Sequence, residues 1–251
     1  MKHLSISLFL CLTFFACQQS EADYDIYLCI GQSNMAGRGP IDATVTDTLD
    51  NVLLLTNDSD NPWEKAANPL NKYSTIRKNL KMQRVGPSYG FAKAMAELNP
   101  QDKIALVVNA KGGTSIRLWH PDSTFFKEAV ARTLQAMEYG ELKGIIWHQG
   151  CSDAGQVKKY MPQLENIVSE LRNQLGADVP FVAGQLSFDK ELRIPFNEMI
   201  LTVPDHIPNA AVVLSDGLTT IDNTHFDTKS QLVLGQRYAK EMSLLQENNK
   251  K

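Results

Sequence analysis

Six short runs of this chain are apolar from end to end rather than at every second position, and this feature constrains the fold most tightly. They are DIYLCI (25–30), NVLLL (51–55), KIALVVN (103–109), GIIWH (144–148), PFVAGQL (180–186) and AAVVLS (210–215). A strand with one wet face alternates apolar and polar residues. A strand that does not alternate is covered on both faces, which is the situation of a central parallel strand. Between the runs lie stretches with apolar residues at helical spacing, at 87–98, 124–139, 156–175 and 227–246. Such a stripe buries one side only, so these helices are expected to cover a sheet. Strands alternating with helices along one chain predict an α/β fold, a three-layer α/β/α sandwich around a doubly wound, mostly parallel sheet. No repeat, low-complexity block or Pro/Gly/Ser-rich linker interrupts residues 22–246, so one domain is expected over 25–246.

The first residues follow a different logic. In MKHLSISLFLCLTFFAC, Lys2 precedes an apolar run from Leu4 to Ala16 that is too short to cross ~30 Å of hydrocarbon, so residues 1–16 read as a signal peptide. Ala16–Cys17 followed by QQSEAD resembles a bacterial lipoprotein processing site, with Phe14 where leucine is usual. Cleavage before Cys17 would leave that residue as an acylated N-terminus and 17–24 as a short tether. The expectation is an exported protein, periplasmic or anchored at the outer membrane, touching the membrane through that lipid alone. With Cys11 in the discarded segment and Cys17 capped, Cys29 and Cys151 remain, either bonded to each other or, the favoured reading, separately buried as small hydrophobes.

A composition 43% hydrophobic and 21% charged, with a net charge of −3, is that of a globular protein with no basic excess for holding polyanions. Nucleic acid is therefore excluded as a partner, and a neutral substrate is the simpler expectation. There is no HxxxH, H-E-x-x-H or paired CxxC, so neither a metal nor another cofactor is expected.

In doubly wound sheets the chemistry gathers beyond the carboxyl ends of the strands. By that rule GQSNMAGRG, NAKGGTSI, HQGCSD and the DGLTTIDNTH that follows AAVVLS converge on one rim. Ser33 stands three residues past YLCI on a strand-to-helix turn, either as a nucleophile or as a plain N-cap. With Met at position 35 the motif is not a G-x-S-x-G elbow. Asp222 precedes His225 by three residues, a spacing that lets the carboxylate reach Nδ1 of the ring and leaves Nε2 free as a base. Asp-x-x-His alone is a weak signal. It gains weight from a serine at the other end of the chain and glycine turns between. His148 ends an apolar run and reads as a buried, hydrogen-bonded ring under the rim. His120, before Pro121, reads as part of a loop lining a cleft, and His206 as a surface turn. Residues 57–84 form the longest stretch without periodicity, read as a loop beside the site in which Trp63 either stacks on a sugar or fills a packing gap.

These blocks, together with the Gly112–Gly113 turn, WHQGCSD, the final DNTH and VGPSYGFAKAM at 85–95, resemble those of SGNH-superfamily hydrolases, which have a flavodoxin-like fold. More narrowly they resemble the family 6 carbohydrate esterases and the sialate O-acetylesterase-like (SASA) domain, over residues 24–243. The resemblance implies that Ser33 is the nucleophile, His225 the general base and Asp222 its acid partner. It implies an oxyanion hole made by the Ser33 amide, the Gly113 amide, for which Gly112 is an alternative, and the Gln149 carboxamide. Gln32, Asn34, Trp63, His120 and His148 are the candidate substrate contacts. Relatives usually carry a glutamate where this chain has Cys151, so the acid role falls on Asp222 alone. The function implied is a serine O-acetylesterase that releases acetyl groups from carbohydrate (acetylxylan, a related polysaccharide or sialic acid) through an acyl-enzyme. The alternative is a surface carbohydrate-binding lipoprotein on the same fold with weak or no activity, for which Cys151 is the only argument.

Overall fold

Strands that are apolar on both faces need cover on both, and the chain supplies it by crossing over after nearly every strand. In the computed structural model, which describes residues 24–249, seven strands form one sheet. They are β1 (Tyr24–Gly31), β2 (Leu49–Leu55), β3 (Trp63–Ala66), β4 (Ile104–Ala110), β5 (Gly140–His148), β6 (Phe181–Gly184) and β7 (Ala210–Val213), in the order β3-β2-β4-β1-β5-β6-β7. All pairings are parallel except β2 with β3. The α/β sandwich expected from the sequence is the one observed. The signal segment and Cys17 lie outside the described residues.

The helices are α1 (Ser33–Ala36), α2 (Pro87–Leu98), α3 (Thr124–Met137), α4 (Val157–Leu175), α5 (Ile194–Ile200), α6 (Val203–His206) and α7 (Thr228–Asn248). One face of the sheet is covered by α2 and α7, which bury Phe91, Met95, Leu234 and Met242 against Tyr27, Val52 and Leu106. The other is covered by α3, α4, α5 and α6, through Phe126, Leu164, Ile167, Phe196 and Val203. Burying each such side chain contributes about 1.5–3 kcal/mol, so the two clusters are the main source of stability. The backbones of α2 and α7 nearly touch: a methyl on Gly90 would fall 2.6 Å from the Leu232 carbonyl oxygen, and one on Gly235 would fall 2.4 Å from the Phe91 nitrogen.

The edge strand β3 is the element the sequence does not announce. It has only four residues, WEKA, and needs a single neighbour, so it carries no apolar run. Its register sets Leu55 opposite Trp63.

Chain order places the switch point of the sheet at β1, whose neighbours β4 and β5 come from later crossovers on opposite sides. A crevice at such a point is where doubly wound sheets hold ligands. Gly31 makes it narrow: its φ is +143°, and a methyl there would lie 2.3 Å from the His148 carbonyl oxygen at the end of β5.

Candidate active site

Past Gly31 the ladder runs one residue further, with the Gln32 amide donating to the His148 carbonyl over 2.9 Å. The chain then turns into the single helical turn of α1, closed by the Ala36 amide donating to the Gln32 carbonyl over 2.8 Å. Ser33 opens this turn and is 6% exposed. From the opposite end of the chain the segment 218–227 folds back on itself, the Ile221 amide donating to the His225 carbonyl over 2.8 Å. Its tip is an Asx turn in which Oδ1 of Asp222 accepts the amides of Thr224 (3.1 Å) and His225 (2.8 Å). Oδ2 of the same carboxylate lies 2.6 Å from Nδ1 of His225, and Nε2 of that ring lies 3.0 Å from Oγ of Ser33. Partial burial alone would raise the Asp222 carboxyl, but the bonds from the His225 ring, its amide and the Thr224 amide outweigh it and hold the group below the usual carboxylate range. An ionised Asp222 fixes Nδ1 as the protonated nitrogen and leaves the Nε2 lone pair facing the serine hydroxyl.

The Gly112–Gly113 turn after β4 closes the third side. A methyl on Gly112 would come within 3.3 Å of Ser33 Cβ and 2.5 Å of Arg38 Nη2, so only glycine lets this backbone reach the serine. Gly113 has φ +73°. Among the described residues no acceptor meets the amides of Ser33, Gly112 or Gly113, which leaves them free as donors beside the Ser33 hydroxyl.

Gln149 departs from its expected place. It is fully buried, and its amide nitrogen donates to Oδ2 of Asp153 (2.5 Å) and the Thr114 carbonyl (2.9 Å), with Gln32 Oε1 at 3.2 Å. Tyr160 donates to its oxygen over 2.8 Å. An amide has two hydrogens, and these acceptors use both, so no donor is left for an oxyanion. Asp153 also accepts the Ile116 amide over 2.9 Å, so Gln149 and Asp153 together brace the loop that carries Gly113. Burial raises the Asp153 carboxyl and the two hydrogen bonds pull it part of the way back.

The other candidates separate in the same way. Gln32 lines the cleft with Ser33 and His225, and its Oε1 accepts the Gly150 amide. Asn34 is fully buried and bonded to the chain on either side of His225, so it faces the protein rather than a substrate. His148 is also fully buried, its Nδ1 3.0 Å from the Tyr238 hydroxyl, and burial lowers its pKa to about 4. It supports the rim from beneath and cannot touch a substrate. Trp63 sits in β3, edge-on to Tyr24 (5.4 Å) and Tyr139 (5.9 Å), away from the cleft. His120 is exposed beside Asp122 and outside the cleft lining, and His206 pairs with Glu165 over 2.6 Å. Cys29 and Cys151 are free thiols. Cys151 does line the cleft; burial raises its thiol pKa despite nearby Arg193 and Lys190.

The cleft has a volume of about 360 Å³, and its lining includes four cationic residues that were not singled out from the sequence: Arg38, Lys78, Lys190 and Arg193. A larger hollow of about 460 Å³, around Asp25, Asp102 and Lys143, opens at the other ends of the strands and holds neither a nucleophile nor an imidazole. No group of three or more His, Cys, Asp or Glu side chains among the described residues is arranged to hold a metal ion.

The model of the family described as "Carbohydrate esterase, sialic acid-specific acetylesterase" matches residues 23–244. The chain belongs to this carbohydrate esterase family. It is 29% identical over 230 residues to a probable carbohydrate esterase of Arabidopsis thaliana, covering 84% of this chain and 86% of that one. Among solved structures it is similar to an Arabidopsis thaliana protein, with 26% identity, a TM-score of 0.79, and coverage of 88% of this chain and 98% of that one. The fold is also similar to that of an acetyl-xylooligosaccharide esterase from Geobacillus stearothermophilus, with a TM-score of 0.54 and 11% identity over 88% of this chain and 96% of that one.

Proposed function

We propose that this carbohydrate esterase is a serine O-acetylesterase that works through an acyl-enzyme. The carrying observation is the chain of contacts from Asp222 to His225 Nδ1 (2.6 Å) and from His225 Nε2 to Ser33 Oγ (3.0 Å) beside unpaired amides. His225 takes the hydroxyl proton as Ser33 Oγ bonds to the acetyl carbonyl carbon, and the resulting oxyanion is received by the amides of Ser33 and Gly113. The imidazolium returns that proton to the departing sugar oxygen. Water then attacks the acetyl-serine with His225 as base again, and acetate leaves with Oγ reprotonated. No step calls on Cys151, because the carboxylate that orients the base comes from Asp222.

Support for an acetylated carbohydrate as substrate comes from the family and its acetylesterase relatives. The test is hydrolysis of an aryl acetate and of acetylated oligosaccharides by the purified protein. Turnover that a Ser33→Ala variant lacks is the expected result, and equal rates in the two proteins would overturn the reading. We also propose that the enzyme acts after export, held by lipid at Cys17, as MKHLSISLFLCLTFFAC suggests. Incorporation of labelled fatty acid that a Cys17→Ser change abolishes is expected.

A further inference from the structure

With both hydrogens of the Gln149 amide in use on Asp153 and the Thr114 carbonyl, the oxyanion site beside Ser33 lacks the side-chain donor that the sequence suggested. Arg38 stands where that donor is needed. A methyl built on Gly112 would lie 2.5 Å from Arg38 Nη2 and 3.3 Å from Ser33 Cβ, so the guanidinium and the serine side chain flank one point above the glycine turn.

The two arms of this guanidinium are used differently. Nη1 is fixed to the framework, donating to the carbonyls of Gly37 (2.6 Å) and Met82 (3.0 Å). Nε and Nη2 make no hydrogen bond among the described residues, and no carboxylate among them lies within 4 Å of the group. Asp222, the acid that acts on Arg38, is bonded to His225. The backbone beneath is equally fixed. Gly37, with φ +87°, turns the chain back after α1, and a methyl there would lie 2.2 Å from the Arg84 carbonyl oxygen. The Arg38 amide then donates to the Val85 carbonyl over 3.0 Å, beside the bridge between Gly39 and Val85. Lys78 also reaches the turn, its Nζ 3.3 Å from a methyl built on Gly113, but it is exposed and its ammonium bonds to nothing among the described residues. A donor already held in place needs no reorganisation as charge develops, whereas a loose one must first be ordered.

We propose that Nη2 of Arg38 donates to the acetyl carbonyl oxygen as it becomes an oxyanion, which makes Arg38 a catalytic residue. The proposal rests on the serine esterase reading and deepens it. As Ser33 Oγ bonds to the carbonyl carbon, the π pair of the C=O bond moves onto oxygen, and the charge appears beside a cation that gives up no proton. On collapse that pair re-forms the C=O bond, the bond to the sugar oxygen breaks, and the proton on His225 goes to the departing oxygen. The guanidinium ends as it began. A charged donor binds an oxyanion more strongly than a neutral carbonyl, so the effect falls on kcat rather than on KM.

The test is hydrolysis of a neutral aryl acetate, which carries no anion for a cation to hold before reaction. Arg38→Ala is expected to lower kcat by about 100-fold with KM within about threefold of the parent. Arg38→Lys keeps the charge without the fork and should recover only part of the loss. Guanidinium ion at about 50 mM should raise Arg38→Ala turnover by about tenfold over the same concentration of sodium chloride, and leave the parent unchanged. A kcat in Arg38→Ala within about threefold of the parent, a loss confined to KM, or an equal loss in Lys78→Ala overturns the proposal, the last because it would mark a diffuse potential rather than a placed donor. Should the Arg38 variants fail to fold, the parent protein decides. Reaction of Ser33 with an aryl methylphosphonate sets a tetrahedral phosphonyl oxygen where the oxyanion forms, and the Arg38 Nη proton signal is expected to move downfield. An unmoved signal overturns the assignment. Loss and rescue in Arg38→Ala together with parental turnover in Ser33→Ala would sink the serine nucleophile and leave Arg38 on the oxyanion.

Discussion

Asn34 grips the chain on both sides of His225: its Nδ2 donates to the Thr224 carbonyl over 3.1 Å, and its Oδ1 accepts the Phe226 amide over 3.1 Å. The residue next to Ser33 thus holds the loop that carries His225, although 190 positions separate Asn34 from Thr224. Gln231 braces the clamp, its Nε2 3.3 Å from the same Oδ1. An Asn34→Ala change leaves a buried amide and a carbonyl without partners, at a cost of about 1–3 kcal/mol each. Because the 3.0 Å contact between Ser33 and His225 depends on this clamp, kcat on an aryl acetate should fall by about 10-fold to 100-fold while KM moves little. An Asn34→Ala protein with unchanged kcat would show that the loop holds itself.

Gln149 is expected to matter for stability more than for the chemical step. Removing an oxyanion donor costs ~10²-fold to 10³-fold in rate, whereas removing a brace leaves partners stranded. In Gln149→Ala the Asp153 carboxylate and the Tyr160 hydroxyl lose contacts of 2.5 Å and 2.8 Å, so unfolding in urea should show a loss of about 2–4 kcal/mol. The folded fraction should keep kcat within about tenfold of the parent. A hundredfold drop in kcat with stability intact would restore Gln149 to the oxyanion hole.

These two residues show which parts of the site were legible in the sequence. The strands around Ser33 could be read because burial on both faces writes itself as an unbroken apolar run. The Asp222–His225 pair could be read because its contact is local. Gln149 was misplaced because its partners are Thr114 and Asp153, and which way an amide points depends on acceptors brought in by other loops. Trp63 fills a packing gap, one of the two roles left open for it, and its strand was read as loop because a four-residue edge strand leaves no periodic trace. The cationic lining was hidden by arithmetic, since net charge sums over the surface while Arg38, Lys78, Lys190 and Arg193 meet only after folding.

Cys151 should be slow to react although it lines the cleft. Burial raises its thiol above the ordinary value, with Arg193 pulling back only part of the way, so little thiolate exists at neutral pH. Iodoacetamide at about pH 7 is expected to modify the folded protein far more slowly than the urea-unfolded chain, by about tenfold or more. Cys151→Ser should turn over an aryl acetate at a rate within about threefold of the parent, since no proton passes through this side chain. Fast alkylation that abolishes turnover, together with activity remaining in Ser33→Ala, would move the nucleophile from the serine to the thiol.

His148 makes the fold sensitive to mild acid. Buried with Nδ1 against the Tyr238 hydroxyl, it stays neutral until the pH approaches its folded pKa of about 4, while in the unfolded chain the same ring takes a proton near its ordinary value of 6.5. Between those values the unfolded state holds more protons, so stability falls as the pH drops through the window and levels off below it. For a fully buried ring the loss amounts to about 3 kcal/mol. Urea unfolding at several pH values should show this slope in the parent protein and a shallower one in His148→Gln, a difference in which the carboxylates that titrate nearby cancel. Should the variant fail to fold, the imidazole signals of the parent protein decide the matter. A His148 ring that gains its proton near pH 6.5 in the native state would mean that burial does not govern its charge.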